Sequence, residues 1–415
     1  MAARERMEAD YHAGYHYEEP DGICLTRQRE THWESPITFS ILVPAYETKA
    51  EYLCCLLDSM LAQTYPYWEL ILADAGKSDG VRKVTAGYGE KRIRYVKLTE
   101  NAGISENTNR ALELATGDYV GLLDHDDWLT PDALFEMASM IRKGKEENRE
   151  YMLVYSDEDK SDEDGKDFYE PHFKTDFNLD LFLSNNYICH FLVMKRELMQ
   201  RLTLRAGFDG AQDYDLCLRA VSEAMKEGLM PEEVMGHVPK ILYHWRCHRD
   251  STAANPASKA YAYEAGKRAV EAFLEEHNWK ATVSHMSHLG FYRVSYEGGV
   301  FAQRTDVAAV GGKVVRKGRV AAGLFNEAGE ALYEGLPAGY SGYMHRAVLP
   351  QSAAELCMES WKVNPNCKDT LETIRKEVEE EAGAATRAEL QSRICKRIRG
   401  MGYRLYWDPE WIVKQ

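Results

Sequence analysis

The chain has 415 residues, of which 45% are hydrophobic, and a formal net charge of -15 at pH 7. This length allows one large hydrophobic core, or one core with a smaller companion domain. The negative charge argues against general nucleic-acid binding, because the phosphate backbone would be repelled. No apolar run approaches the roughly 18 to 20 residues of a membrane-spanning helix, and the start, MAARERMEAD, lacks the apolar segment of a signal peptide. The expected location is therefore the cytoplasm.

The first part of the chain predicts an alternation of strands and helices. Residues 1–36 have no clear period and are expected to be a loose end, with a docking arm as the alternative. From residue 37 onward, short apolar runs alternate with segments in which leucines recur at helical spacing. One such helix is expected to open at TPDALFEMASMI, with Thr130 as N-cap and Pro131 in its first position. The alternation predicts an α/β fold with a mostly parallel central sheet and helices on both faces. The runs that predict its first strands are 37–43, 67–73, 93–98 and 118–123.

The remainder of the chain is predicted to complete this domain and to add a second one. The acidic segment SDEDKSDEDGKD, residues 156–167, lacks the central glycine of a calcium loop and is expected to be a solvated loop. A helix over residues 258–277 is expected to close the first domain, and a charged helix is predicted over residues 371–400. The predicted domains are an N-terminal extension (1–36), an α/β domain (37–284) and a smaller C-terminal α+β module (285–415).

Polar side chains follow the predicted strands at the edge where such sheets bind ligands. Asp124 and Asp126 stand two residues apart in an extended segment, so both carboxylates can face one ion. Hard oxygen ligands of this kind suit Mg²⁺ or Mn²⁺ shared with substrate phosphates. The alternative, from these residues alone, is that the aspartates cap and solvate the turn before a helix. The loops concerned read PAYE (44–47), DAGKSD (74–79), ENAG (100–103) and DHDD (124–127).

The order of these loops resembles a known family. VPAYE, LADAGKSD and NAGISENTNRALELATGDYVGLLDHDD are similar to the nucleotide-binding half of family 2 glycosyltransferases of the GT-A fold. Glu47 stands where that family commonly has asparagine, and DAGKSD replaces its DGSxD-like loop. YSDED, YICHFLVMK, GAQDYDLCLR and LYHWRCHRDSTA resemble the branch that assembles rhamnose-rich and O-antigen polysaccharides. The resemblance covers residues 37–278.

The resemblance implies a metal-dependent transfer of a sugar with inversion. Asp213 falls where the family places its general base, although an aspartate there could also only cap a helix. HWRCHRDST resembles an RxHxxS element that closes over the donor, with Arg246 and Ser251 on phosphate oxygens. His244 is the rival of His248 as metal ligand, unless it is a hydrogen-bonded core histidine. The implied metal ligands are Asp124, Asp126 and His248. The implied donor-binding residues are Pro44, Ala45, Tyr46, Glu47, Asp74, Asn101, Gly103, Asn109, Asp124, Arg246 and Ser251.

The leading prediction is an inverting glycosyltransferase that uses Mg²⁺ or Mn²⁺ to move a sugar from a nucleoside diphosphate sugar to a cell-surface polysaccharide. A lipid-linked acceptor would add peripheral contact with the inner face of the cell membrane. Residues 285–415 resemble the acceptor-side half of a second transferase without a DxD motif, and are expected to serve in packing, dimerisation or acceptor docking. One alternative is a non-catalytic partner in a polysaccharide assembly complex. The other is a nucleotidyltransferase, whose glycine-rich basic loop is replaced here by PAYETKAEY.

Overall fold

The computed structural model describes residues 14–248, 260–382 and 385–415. They form two compact units. The N-terminal unit contains Tyr15–Phe177 and Asn186–Phe273, and the C-terminal unit contains Asn178–Asn185 and Leu274–Gln415. This division differs from the predicted domains in two ways: the units meet in sequence at 273/274 and not at 284/285, and the short segment Asn178–Asn185 belongs to the C-terminal unit.

The helices and strands are numbered in chain order. The strands are β1 (Phe39–Ala45), β2 (Trp68–Asp74), β3 (Ile93–Lys97), β4 (Tyr119–Leu122), β5 (Trp128–Leu129), β6 (Leu153–Ser161), β7 (Phe168–His172), β8 (Leu192–Lys195), β9 (Met235–Arg246), β10 (Ala281–His285), β11 (Tyr292–Tyr296), β12 (Val307–Arg316), β13 (Arg319–Ala322), β14 (Leu324–Phe325), β15 (Gln351–Ser352), β16 (Glu355–Leu356), β17 (Trp361–Val363) and β18 (Arg404–Lys414). The α-helices are α1 (Gly22–Arg29), α2 (Ala50–Ala62), α3 (Gly80–Tyr88), α4 (Ile104–Leu112), α5 (Ala133–Glu146), α6 (Leu179–Phe182), α7 (Arg196–Leu202), α8 (Gln212–Lys226), α9 (Pro231–Val234), α10 (Ala260–Glu276), α11 (Val300–Gln303), α12 (Lys368–Ala382) and α13 (Arg387–Gly400).

The central sheet of the N-terminal unit has the strand order β3-β2-β1-β4-β8-β6-β9-β5, with β7 paired to β6. Within the group β1 to β4, each pair of neighbouring strands is parallel, as predicted. Strand β8 is antiparallel to both β4 and β6, so the second half of the sheet is mixed. The α/β class is confirmed, whereas the direction of β8 was not predictable because an apolar run such as YICHFLVMK reads the same in either direction.

Helix α2 shows how the spacing of apolar residues produced the predicted packing. Leu53, Leu56, Leu57 and Met60 have no exposed surface and belong to the same buried cluster as strand β1. Residues three and four apart lie on one face of a helix, so these four side chains form a single apolar stripe. Burying each of them contributes roughly 1.5 to 3 kcal/mol relative to exposure.

The first strands end together at one edge of the sheet. Ala45 of β1 pairs with Asp74 of β2, and Asp74 pairs with Lys97 of β3. The backbone N–H of Ala75 donates to the carbonyl of Ala45 at 2.9 Å, which continues the pairing into the following loop. The loops after these strands therefore meet at the carboxyl edge, as the sequence predicted.

The expectation of a loose N-terminal end was wrong for residues 15–33. Helix α1 is held by the hydroxyl of Thr64, which donates to Oε1 of Gln28 at 2.8 Å. Trp33 is 5% exposed and its ring lies edge-on to that of Tyr65, with centroids 4.9 Å apart. The segment packs because Trp33 belongs to the same buried apolar cluster as strand β1 and helix α2. Residues 1–13 lie outside the described residues.

The acidic segment 156–167 is a loop only in its second half. Asp157, Glu158 and Asp159 lie in β6 and are buried. The prediction of a solvated loop was wrong for these three residues, because each carboxylate lies beside a histidine from another part of the chain. Residues 162–167 form the turn to β7, as expected.

Two helix boundaries also differ from the prediction. Helix α5 begins at Ala133, because the hydroxyl of Thr130 donates to the Asp132 side chain at 2.7 Å instead of capping a helix that starts at Pro131. The charged helix predicted over 371–400 is two helices, α12 and α13. The second begins with a capping box, in which Thr386 and Glu389 satisfy each other's backbone N–H groups.

The C-terminal unit is built on a sheet with the strand order β13-β12-β18-β15, with β17 paired to β12. Strand β12 is buried along most of its length and runs parallel to β18. Arg304 has no exposed surface and donates to the carboxylates of Asp180 and Asp306 at 2.7 and 2.8 Å. Among the helices of the described ranges, none combines the length and the apolar character that crossing a membrane requires.

Candidate active site

One carboxylate joins the loops that follow β1 and β2. Glu47 has a φ of 48°, and its Oε1 accepts hydrogen bonds from the backbone N–H groups of Ser78, at 3.0 Å, and Lys77. The hydrogen bonds from Ser78 and Lys77 lower the pKa of Glu47. Tyr46 beside it is 45% exposed. Of the predicted residues of this loop, Tyr46 therefore presents a ring at the edge, whereas Pro44 and Ala45 complete β1.

Asp74 was expected to bind the nucleotide, but the structure places it underneath the edge. It has no exposed surface. Its Oδ1 accepts from the backbone N–H of Gly76 at 2.8 Å, and its Oδ2 accepts from the Tyr95 hydroxyl at 2.8 Å and the Lys97 ammonium at 2.9 Å. These donors occupy most of its capacity. Asp74 thus fixes the loop and Lys97, whose side chain is 41% exposed. Lys97 is a candidate donor-binding residue that was not predicted from the sequence, although its position at the end of β3 placed it at the binding edge.

The loop after β3 is shaped by an asparagine and a glycine. Oδ1 of Asn101 accepts from the backbone N–H of Gly103 at 3.2 Å and from the Asn107 side chain at 2.8 Å. Gly103 has a φ of 95°, and a Cβ at this position would lie 2.7 Å from Oδ2 of Asp209. Only glycine fits here without strain. Asn101 itself is exposed at the carboxyl edge.

Asn109 was expected to contact the donor, but its amide is already used. Its Nδ2 donates to the carbonyl of Leu204 at 2.8 Å, and its Oδ1 accepts from the N–H of the same residue at 2.8 Å. This pair of hydrogen bonds ties helix α4 to the loop after α7. The structure therefore gives Asn109 a structural role.

The DHDD turn holds its aspartates at different depths. Asp127 is 1% exposed and accepts from the backbone N–H of Arg246 at 2.8 Å and from a tyrosine hydroxyl of β9. Its burial raises its pKa well above the usual range. Oδ2 of Asp126 lies 2.8 Å from Nε2 of His248. The side chain of Asp124 is 46% exposed. Asp124 is thus the carboxylate most open to a ligand.

The two histidines considered as metal ligands have different surroundings. His248 lies beside Asp126, with 13% of its side chain exposed. His244 is 2% exposed, its Nδ1 contacts Oδ1 of Asp159, and its ring packs against those of Trp128 and Phe168. His244 is therefore a hydrogen-bonded core histidine, and His248 is the imidazole next to the acidic turn.

Arg246 was expected to bind phosphate oxygens, but the structure gives it another role. It is 3% exposed, and its Nε donates to the carbonyl of Asp126 at 2.7 Å while Nη1 donates to the carbonyl of Glu163. Its guanidinium lies 4.4 and 4.7 Å from the ring centres of Trp128 and Tyr52. A guanidinium over aromatic rings combines charge with a flat face, which a lysine ammonium cannot offer. Arg246 clamps the DHDD turn to the β6–β7 turn. Ser251, the other predicted phosphate ligand, lies outside the described residues.

A histidine that the sequence reading did not single out lies beside Asp124. Nδ1 of His190 is 2.9 Å from Oε2 of Glu158, and its Nε2 is 3.9 Å from Oδ2 of Asp124. Burial lowers the pKa of His190, but its hydrogen bond to Glu158 and the nearby carboxylates outweigh burial and raise the pKa to about 9. The ring is positively charged at neutral pH and offsets part of the negative charge of the turn. The available signal was a histidine inside the apolar run YICHFLVMK.

Asp213 lies in the first turn of α8. Its Oδ2 accepts hydrogen bonds from Nδ2 of Asn186 at 2.8 Å and from the thiol of Cys189 at 3.0 Å. Asp215, two residues on, is 1% exposed and forms ion pairs with two arginines. The N-cap residue of α8 is Ala211 and no side-chain hydrogen bond caps the helix, so the capping role considered for Asp213 is not observed.

A series of contacts joins Asp213 to the acidic turn. The sulfur of Cys189 is 3.0 Å from Oδ2 of Asp213 and 3.3 Å from Nε2 of His190, which is 3.9 Å from Oδ2 of Asp124. Although 46% of the Asp124 side chain is exposed, the protein that surrounds the carboxylate raises its pKa. The charges of Asp126 and Asp213 raise this pKa further, and the charge of His190 opposes them. These contacts thus connect the predicted base to Asp124, one of the predicted metal ligands.

The side chains of the turn suit a hard divalent cation. Asp124 and Asp126 offer carboxylate oxygens, His248 offers an imidazole, and a cation would relieve the repulsion between the carboxylates. Within the described ranges, no three His, Cys, Asp or Glu side chains are grouped closely enough to hold a metal ion by themselves. The remaining ligands would be substrate phosphates or water, which is common for Mg²⁺.

Comparison with known proteins agrees with the resemblance of the motifs. Residues 40–203 match the family described as Glycosyl transferase family 2. Uncharacterized protein y4gI of Sinorhizobium fredii is 38% identical over 239 residues, which are 57% of this chain and 25% of that protein. The O-antigen biosynthesis protein RfbC of Myxococcus xanthus is 32% identical over 292 residues, which are 69% of this chain and 22% of that protein. The chain thus spans about a quarter of the length of these relatives.

A solved structure, S. aureus TarS 1-349 in complex with UDP-GlcNAc, is similar with a TM-score of 0.44 and 17% identity, over 57% of this chain and 66% of that chain. The α/β sheet, the acidic turn at its edge and the family match define a glycosyltransferase domain. Over residues 40–203 the chain carries a domain of glycosyltransferase family 2. Asp213 and His248 lie beyond the matched range.

Proposed function

We propose that the N-terminal unit is a metal-dependent inverting glycosyltransferase that moves a sugar from a nucleoside diphosphate sugar to a growing cell-surface polysaccharide or a related glycan. The observation that carries this proposal is the series of contacts from Asp213 through Cys189 and His190 to Asp124. These contacts connect a carboxylate that can take a proton to a turn that can hold a cation for a leaving phosphate.

The proposed reaction is a single displacement. The oxygen of an acceptor hydroxyl forms a bond to the anomeric carbon of the donor sugar, and Asp213 takes the proton of that hydroxyl. The bond from the anomeric carbon to the phosphate oxygen breaks, and its electron pair leaves with the nucleoside diphosphate. One displacement at one carbon inverts its configuration.

The chain's own residues bind and orient the leaving group. Tyr46, Lys97 and Asn101 are exposed at the carboxyl edge, where the nucleotide would lie. Asp124, Asp126 and His248 would hold Mg²⁺ or Mn²⁺, which when bound neutralises charge on the diphosphate.

The class of acceptor is supported by the named relatives. They include the O-antigen biosynthesis protein RfbC of Myxococcus xanthus and a putative teichuronic acid biosynthesis glycosyltransferase of Bacillus subtilis, 37% identical over 106 residues. The first name refers to biosynthesis of an O-antigen and the second to biosynthesis of teichuronic acid. A nucleotide-activated donor would place the reaction in the cytoplasm, with the membrane face as the site of a lipid-linked acceptor.

The first experiment is calorimetric titration of UDP, dTDP and GDP into the protein, each with Mn²⁺ and with EDTA. We expect one nucleotide to bind only with the metal, and Asp126→Ala to abolish that binding. Asp164→Ala is the matched control, because Asp164 is a carboxylate with 68% of its side chain exposed in the β6–β7 turn. Asp213→Asn is expected to keep the binding and to lose release of nucleoside diphosphate from the matching nucleotide sugar.

Two alternatives would follow from other results. Absence of binding by all three nucleotides would support a non-catalytic partner instead of an enzyme. Metal-dependent binding of nucleoside triphosphates with release of pyrophosphate would support a nucleotidyltransferase. Binding that survives Asp126→Ala would remove the acidic turn from the proposed metal site.

A further inference from the structure

The two oxygens of the Asp213 carboxylate have different surroundings. Oδ2 accepts two hydrogen bonds, from Nδ2 of Asn186 at 2.8 Å and from Sγ of Cys189 at 3.0 Å. Oδ1 accepts none from any residue that the structure describes. Two donors on one oxygen restrict rotation of the carboxylate about its last bond, because rotation would break both hydrogen bonds. The other oxygen is then held in one direction.

Asn186 makes this contact at a cost to itself. Its Oδ1 is buried and has no hydrogen-bond partner among the described residues. A buried carbonyl that has lost water without gaining a donor is unfavourable for folding. Reversing the amide would bring Oδ1 against the carboxylate of Asp213, so the orientation is set by that carboxylate. An asparagine whose only gain were stability would not leave half of its amide unsatisfied.

Cys189 contributes a donor that stays protonated. Burial raises the pKa of its thiol well above the usual range, and the charge of Asp213 raises it further. The thiol therefore remains an S–H group that donates to Oδ2. Other titratable groups near the Asp213 carboxylate include Asp124 on the DHDD turn, Cys217 on α8, and His190, whose Nε2 is 3.3 Å from the Cys189 sulfur.

We propose that Asn186 and Cys189 are positioning residues, which hold Oδ2 of Asp213 so that Oδ1 is the atom that takes the proton of the acceptor. This inference rests on the proposed function, in which Asp213 is the base. It assigns the proton to one named atom and gives a purpose to the unsatisfied amide of Asn186. A displacement of about 1 Å at a reacting group can lower a rate roughly a hundredfold.

The test measures release of nucleoside diphosphate from a sugar donor that carries the nucleotide found to bind in the calorimetric titration. Asn186→Ala is expected to lower kcat roughly ten- to a hundredfold, with KM for the donor and metal-dependent nucleotide binding unchanged. Its thermal stability is expected to stay the same or to rise, because the unsatisfied carbonyl is removed. A purely structural role would instead lower stability together with activity.

Three further variants separate position from charge. Cys189→Ser keeps a donor and is expected to retain most of the activity, whereas Cys189→Ala is expected to lose it in the same way as Asn186→Ala. Asn186→Asp places a second carboxylate beside Asp213 and is expected to move the acid limb of the pH–rate profile up by about one unit or more. Cys24→Ala is the matched control, because Cys24 is exposed.

A measurement without substrate tests the contact itself. Alkylation of Cys189 by iodoacetamide at pH 8, followed by mass spectrometry of its peptide, is expected to be faster in Asp213→Asn than in the wild type, because the negative charge beside the sulfur is removed. The proposal is overturned if the wild type is active while Asn186→Ala and Cys189→Ala retain its kcat and pH profile. If the wild type neither binds a nucleotide nor turns over, the proposed function fails, and the assignment of the base fails with it.

Discussion

Replacing Arg304 by methionine is expected to destabilise the C-terminal unit by about 3 to 5 kcal/mol. The side chains of Arg304 and Asp180 are 0% and 1% exposed, and Nη1 lies 2.7 Å from Oδ1. Methionine fills much of the same volume but leaves the buried carboxylate of Asp180 without its cation. Asp306, the second partner, is 27% exposed and keeps a contact with Arg404 at 3.3 Å. The loss is therefore concentrated at Asp180.

This magnitude corresponds to a measurable shift in melting temperature. The C-terminal unit has about 150 residues, for which 1 kcal/mol shifts the midpoint by roughly 2 to 4 °C. The expected decrease is roughly 6 to 20 °C in the transition that belongs to this unit. The double variant Arg304→Met/Asp180→Leu is expected to lose less than the sum of the single variants, because the unpaired charge is gone.

The assay is thermal and urea unfolding followed by circular dichroism and tryptophan fluorescence. Arg375→Met is the control, since Arg375 forms an exposed pair with Glu379 one helical turn away and such pairs contribute roughly 0.3 to 0.5 kcal/mol. The reasoning would be refuted if Arg304→Met were no more destabilising than Arg375→Met, or if the two buried substitutions were simply additive.

Three further predictions concern the N-terminal unit. His237 lies 2.9 Å from Asp157. Burial lowers the pKa of His237, but its hydrogen bonds to carboxylates outweigh burial and raise the pKa, so the charged ring stabilises the fold fully below about pH 6.5 and loses this effect as the pH rises through the raised pKa. The difference in melting temperature between wild type and His237→Phe should therefore shrink with rising pH. Gly103→Ala should lower the free energy of unfolding in urea by roughly 1 to 3 kcal/mol, because the new Cβ would lie 2.7 Å from Oδ2 of Asp209. An unchanged urea midpoint would contradict this prediction. Arg246→Lys keeps the charge but loses the flat guanidinium that contacts the aromatic rings. Calorimetry should therefore show metal-dependent nucleotide binding that is at least about tenfold weaker. Wild-type affinity would count against the role of Arg246 in holding the DHDD turn.

The sequence by itself determined the features that depend on local spacing. The apolar stripe of α2, with Leu53 and Met60, follows from helical period, and the strands β1 to β4 follow from apolar runs between turns. Parallel strands end at one edge, so Glu47, Asn101 and Asp124 were expected together, and the structure brings their loops to that edge. The family match over residues 40–203 confirms the resemblance that these ordered loops carried.

Only the tertiary structure determined how deeply each side chain is buried and which groups it contacts. Asp74 and Asp124 both follow a strand, yet one is fully buried under Lys97 and the other is 46% exposed. The carboxylates of β6 became buried because histidines from distant parts of the chain lie beside them, and His190 entered the site in the same way. The segment Asn178–Asn185 belongs to the C-terminal unit, in which Asp180 forms a buried ion pair with Arg304. Spacing along a chain states which face a residue occupies, but the hydration and charge of a side chain depend on what packs over it, and that is set by contacts between residues far apart in sequence.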